Sequence, residues 1–181
     1  MHIVVTILII LILSGFVLYI IKFRKKEKKA KNITITNTKL IEKKWINENL
    51  FLCLVGSLIK LEAKYFIEFE IIGIEIENIF KILVNEEMMT YLVIYEFRKK
   101  GKQFRKGVPY IEYITFFDNN TRLITRLNNY SKLRRNDFGY ISSSYYRHLE
   151  KVEEKKKSYI FSNLLKKNEF KNEYLKIFKS G

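Results

Sequence analysis

Residues 3–21 read "IVVTILIILILSGFVLYII", nineteen positions without a charged side chain, and no other feature restricts the architecture of this chain as tightly. At 1.5 Å per residue a helix of that length covers about 28 Å, close to the roughly 30 Å hydrocarbon core of a bilayer. Backbone groups in lipid have no water to turn to, so a spanning segment must satisfy them internally, and a helix does so. Thr6, Ser14 and Gly15 do not prevent it, and Tyr19 falls near the end, at the headgroup level that amphipathic rings favour. A helix buried in a water-soluble core rarely needs so long an uninterrupted apolar run. A transmembrane helix is therefore expected here.

A cleaved export signal would carry a basic stretch, a core of about 7 to 15 apolar residues and a small-x-small cleavage site. Here Met1 and His2 precede a longer core, Lys22, Phe23 and Arg24 follow it, and no Ala-x-Ala pattern closes it. Cys53 lies too deep to be a lipid-modified mature terminus. Retention as an anchor follows. Lys22, Arg24, Lys25, Lys26, Lys28, Lys29 and Lys31 against Glu27 give the C-terminal flank a charge of +6. The positive-inside rule then predicts an N-terminus outside the cell membrane and a cytoplasmic C-terminal domain. Anionic lipid at the inner leaflet would attract these same side chains, by about 1 kcal/mol each near the surface. Membrane lipid is thus the first expected partner.

The expected organisation is an anchor over residues 1–22, a basic juxtamembrane segment over 23–38 and one domain over 39–181. One cysteine, Cys53, allows no intrachain disulfide and no thiolate metal cluster. Residues 50–61 are apolar but too short to span a membrane, and read as a core strand or a short helix. From Tyr65 the pattern turns to period two: Tyr65, Ile67, Phe69 and Ile71 alternate with Glu68 and Glu70, and "IEIE" continues it beyond Gly73. This predicts a sheet with one face covered and one wet. "MTYLVIYEF" predicts a further strand with Tyr91, Val93, Tyr95 and Phe97 on one face; "RKKGKQFRKG" reads as a loop, and Pro109 opens the next strand. "YIEYITFF" and "TRLITRL" across Asp118, Asn119 and Asn120 form the clearest hairpin. One of Ser142, Ser143 or Ser144 is expected to cap a helix running to about Lys157. Phe161, Leu164, Leu165, Tyr174, Leu175 and Phe178 recur at helical spacing beyond it. The fold class is α+β: an N-terminal transmembrane helix, then one small domain with an antiparallel β-sheet of about five strands and C-terminal helices.

Chemistry is sparsely signalled. No glycine-rich phosphate loop, G-x-S-x-G, H-E-x-x-H or cysteine pair occurs. His148 is the only histidine of the domain, and a lone histidine after two tyrosines at a helix start reads as a surface or packing residue rather than a base. Glu150 and Glu154 lie among lysines on one helix, which suits salt-bridge lacing better than a metal site. Cys53 between leucines reads as a buried thiol. Glu68, Glu70, Glu75 and Glu77 could converge on one sheet face, but an exposed strand needs polar residues there in any case. No cofactor, metal or catalytic residue is assigned.

Removing the juxtamembrane +6 from the total of +15 leaves +9 on the rest of the chain. Arg98, Lys99, Lys100, Lys102, Arg105 and Lys106 form one cluster; Arg122, Arg126, Lys132, Arg134 and Arg135 form a second. Aromatics lie among them, as on surfaces that track phosphates and stack bases. Lysine is abundant along the whole chain, so the arginines Arg98, Arg105, Arg122, Arg126, Arg134 and Arg135 are the more informative set for an anionic ligand. The functional expectation is a single-pass, non-catalytic cytoplasmic interaction or accessory protein with a protein partner, bacterial by its composition and layout. A membrane-tethered nucleic-acid or anionic-ligand module is the alternative, and a small enzyme with a dispersed site the third.

Overall fold

Alternating apolar side chains make strands only where another layer can cover them, and the segments with that pattern join one antiparallel sheet. The computed structural model describes residues 34–36, 45–72, 76–99, 102–103, 108–118, 121–156 and 164–180. Strands β1 (Thr34–Thr36), β2 (Lys64–Ile72), β3 (Ile76–Asn85), β4 (Thr90–Lys99), β5 (Lys102–Gln103), β6 (Tyr110–Phe116) and β7 (Arg122–Leu127) are accompanied by helices α1 (Glu48–Ile59), α2 (Tyr130–Arg134), α3 (Phe138–Lys156) and α4 (Lys167–Ser180). The sheet order is β1-β2-β3-β4-β6-β7, with β5 folded back on the end of β4. Its five long strands thus lie in chain order, each antiparallel to its neighbour. The α+β architecture is as the sequence predicts. The expected membrane helix over residues 3–21 lies outside the described residues, among which no helix is long and apolar enough to cross a membrane.

Both faces of the sheet are covered, which corrects the expectation of one wet face. On the first face α1, α2 and α3 bury Leu54, Leu58, Leu133, Ile141 and Tyr145 against Ile79, Leu83, Leu92, Ile94 and Tyr113. On the second, α4 lays Phe170, Tyr174 and Ile177 over Phe69, Phe80, Val93 and Ile114. Each fully buried leucine or phenylalanine here contributes about 2 kcal/mol of transfer free energy. Glu70, expected on the wet face, is buried. Tyr65 also changes sides: the register shifts between Tyr65 and Ile67, and its ring meets Lys81 Nζ at 5.5 Å on the α1 face. A bulge adds one residue to a strand, and so inverts which side chains share a face.

An aromatic ladder crosses the second face. Phe69, Phe80, Tyr95 and Tyr110 sit directly opposite one another on β2, β3, β4 and β6, stacked at centroid separations of 5.1, 5.2 and 5.0 Å. Tyr174 of α4 meets Phe80 edge-on at 5.3 Å. Such pairs add about 0.5–1.5 kcal/mol each beyond the area they bury.

The helices start where their caps are. Residues 50–59 of the run that is ambiguous in sequence belong to α1, because Asn47 accepts the Leu50 N–H at 3.0 Å and Leu50, Phe51, Leu54, Ser57 and Leu58 share one buried face. α3 begins at Phe138, ahead of the serines expected to cap it: Asp137 Oδ1 accepts the Tyr140 N–H at 3.0 Å. Ser142 and Ser143 lie inside the helix and donate back to the carbonyls of Gly139 and Tyr140, a local satisfaction that helix interiors allow. The hairpin of β6 and β7 pairs Phe116 with Arg122, as expected.

Candidate functional site

The sequence-nominated basic residues are dispersed. Lys22, Arg24, Lys25, Lys26, Lys28, Lys29, Lys31 and Arg105 lie outside the described residues. Arg98 occupies a β4 position opposite Gln103 of β5. Arg122 and Arg126 belong to β7, and Arg126, exposed on the α4 face of the sheet, donates from Nε to Glu112 Oε1 at 2.7 Å. Arg134 and Arg135 are exposed at the end of α2, a helix seated through Leu133 on the opposite side of the sheet. The second arginine cluster is therefore divided between the two faces.

Glu112 is the centre of a polar inclusion in the α4 layer. β6 places Tyr110, Glu112, Ile114 and Phe116 on one face, so the carboxylate enters an otherwise apolar wall. Besides Arg126, the Tyr95 O–H donates to Oε1 at 2.9 Å and the Tyr174 O–H to Oε2 at 3.1 Å. Burial, and then the Glu112 charge, push both phenols well above their ordinary range, so both remain donors. The Glu112 charge likewise raises the Arg126 guanidinium. This cluster joins β4, β6, β7 and α4 through one carboxylate.

A second inclusion lies in the α3 layer. His148 is fully buried, with Nε2 at 3.1 Å from Thr115 Oγ1 and Nδ1 at 2.8 Å from Thr125 Oγ1. Thr90 donates its one hydroxyl proton to the Met88 carbonyl at 3.0 Å and lies 2.9 Å from Thr115. Thr115 must therefore donate to Thr90 and accept from Nε2–H, which leaves Nδ1 to accept from Thr125. The hydroxyl chain fixes the tautomer. Burial, assisted by Lys151, lowers the imidazole to about 4, so His148 is a neutral packing element, one of the two roles its setting in the sequence allows.

Other acids are engaged as well. Glu96, buried on the α1 face, accepts the Ile46 N–H at 2.9 and 3.2 Å on its two oxygens, and Glu68 pairs with Lys81 at 3.9 Å. Glu75 lies outside the described residues, and nothing gathers a carboxylate set around Glu68 and Glu70: among the described residues no three His, Cys, Asp or Glu side chains could together hold a metal ion. Cys53 is exposed, not buried, because its helical position turns it away from the face that carries Leu50, Leu54 and Leu58. An open groove of about 610 Å³ runs beside α3, lined by Met88, Tyr146, Leu149 and Val152 with Glu150 and Lys156 at its margin.

Sequence reasoning missed Glu112, Tyr95 and Tyr174 as a unit. The available signal was the acid itself, alternating with Tyr110 and Ile114 on a strand otherwise rich in aromatic and β-branched residues. Comparison of the chain with protein-family models, with curated proteins and with solved structures finds no match.

Proposed function

We propose that the chain is a single-pass membrane-anchored protein whose cytoplasmic α+β domain works by contact, holding a protein partner at the membrane rather than catalysing a reaction. One observation carries the reading: nineteen uncharged residues are followed at once by seven basic residues against one acid. A bilayer solvates the first and its anionic inner surface attracts the second. The commitment of the buried ionisable groups is consistent with a contact role, since Glu112, Glu96 and His148 are all employed in joining elements of the fold. Contact also needs exposed apolar surface, and Leu52, Ile59, Tyr65 and Tyr146 are each more than half exposed. The nucleic-acid alternative loses support from the engagement of Arg126 and the division of the arginine cluster. Alkaline carbonate extraction of membranes from cells expressing the full chain tests the anchor, and a reporter fused after Gly181 tests the orientation. Retention in the pellet with cytoplasmic reporter activity is expected. Release by carbonate, or reporter activity outside the cell, overturns the reading.

A further inference from the structure

Among the described residues nothing covers the outward side of α1. Leu52 and Ile59 are 57% and 55% exposed, and a Cβ added to Gly56 between them would meet nothing within 4 Å. These three positions, four and three residues apart, form one stripe on the helix. Ser57, on its flank, donates to Asn136 Oδ1 at 2.9 Å and fixes α1 against the turn between α2 and α3. Across that junction Lys60 Nζ lies 5.5 Å from the centroid of Phe138, itself partly exposed. Arg134 and Arg135 are exposed beside it. Of the acids nearby, Glu48 lies at the far end of α1, Asp137 is engaged in capping α3, and Glu62, exposed just beyond α1, offsets part of the charge of Lys60. The surface thus pairs a short apolar stripe with a basic border, the composition that suits the boundary between headgroups and acyl chains.

Chain connectivity selects the occupant. β1 is docked on β2 at the edge of the sheet, and only twelve residues lie between Ile21 and Thr34, a reach of at most about 45 Å. The chain then passes through Trp45 into α1, which seats Phe51 over Lys81 of β3 at 5.4 Å. The tether therefore keeps the β1 edge of the domain within about 45 Å of the bilayer. We propose that the outward face of α1 and the α2–α3 turn form a bilayer-contact surface, in which Leu52 and Ile59 enter the interface while Lys60, Arg134 and Arg135 meet anionic headgroups. This surface rests on the anchored reading, and it turns a passive tether into a fixed orientation of the domain.

Cys53, the only cysteine of the chain, lies on this side of α1 and is exposed, so it reports on the contact directly. The full chain is reconstituted into vesicles of phosphatidylcholine with or without phosphatidylserine, and outward-facing domains are labelled with a charged, membrane-impermeant maleimide. Labelling of Cys53 is expected to be at least about fivefold slower with phosphatidylserine, the equivalent of one basic side chain's attraction. The Arg134→Glu/Arg135→Glu variant should lose most of that difference. In a Cys53→Ser background, Asn172→Cys on the exposed side of α4 should label equally on both vesicles. Equal labelling of Cys53 on both vesicles overturns the proposal. So does protection that follows protein concentration rather than lipid charge, which identifies a second copy as the occupant. Carbonate release overturns the anchor alone, and equal labelling of a retained chain overturns the contact surface alone.

Discussion

Both ring nitrogens of His148 keep partners in the hydroxyl chain, so burial penalises only its charged form. In the unfolded chain the imidazole has its usual value of 6.5, and in the folded chain about 4. Between these values the unfolded state binds the extra proton. Stability is therefore complete above pH 6.5 and declines as the pH falls towards 4, by up to about 3 kcal/mol from this residue. Urea unfolding across that range should show a His148→Gln variant that is less stable at neutral pH but loses less on acidification. A parallel decline in both proteins would sink the assignment. The setting of His148 in the sequence leaves surface and packing roles open, and the partners that decide between them are distant: Thr115 and Thr125 lie 33 and 23 residues away. The same applies to Glu112, whose hydrogen bonds reach 14, 17 and 62 residues along the chain. Cys53 misleads for a different reason. Its neighbours in sequence are leucines, but adjacent helical positions point about 100° apart.

At the level of elements, α4 is held mainly by two rings. Phe170 is fully buried, tilted on Tyr91 at 4.4 Å and edge-on to Phe116 at 5.9 Å, while Tyr174 adds its bond to Glu112. Phe170→Ala should cost about 3–5 kcal/mol, the usual range for emptying such a site. Hydrogen exchange should accelerate in α4 more than in α1; equal acceleration in both helices would contradict separate seating. The spacing of Tyr174 and its neighbours announces this helix in the sequence. The apolar run that forms α1 lacked contrast, since nearly every position is apolar and neither period stands out. Its helical state is decided by the Asn47 cap and by the sheet beneath it. β1 had no apolar pattern at all, and exists through pairing with β2.

For the whole molecule, the sheet separates two apolar clusters that share its backbone but not their side chains. Leu58 belongs to the α1 side and Phe170 to the α4 side. Leu58→Ala and Phe170→Ala should therefore add to within about 0.5 kcal/mol, in a single unfolding transition of the size expected for one domain. A coupling energy above 1 kcal/mol would show that strain passes through the sheet. Two-sided burial was hidden in the sequence because the glutamates of β2 imitate a wet face. Glu70, 5% exposed, lies where the Glu/Ile alternation suggests water. The position of α4 also sets an order of events during synthesis. A ribosome adds about 5–20 residues per second, and β2 to β7 can pair as hairpins in the sequence in which they emerge. The ladder of Phe69, Phe80, Tyr95 and Tyr110 is then complete while α3 is still being made, with nothing over it. Until α4 leaves the exit tunnel, the nascent domain carries an uncovered aromatic sheet, and chaperones or crowded neighbours compete with α4 for that face.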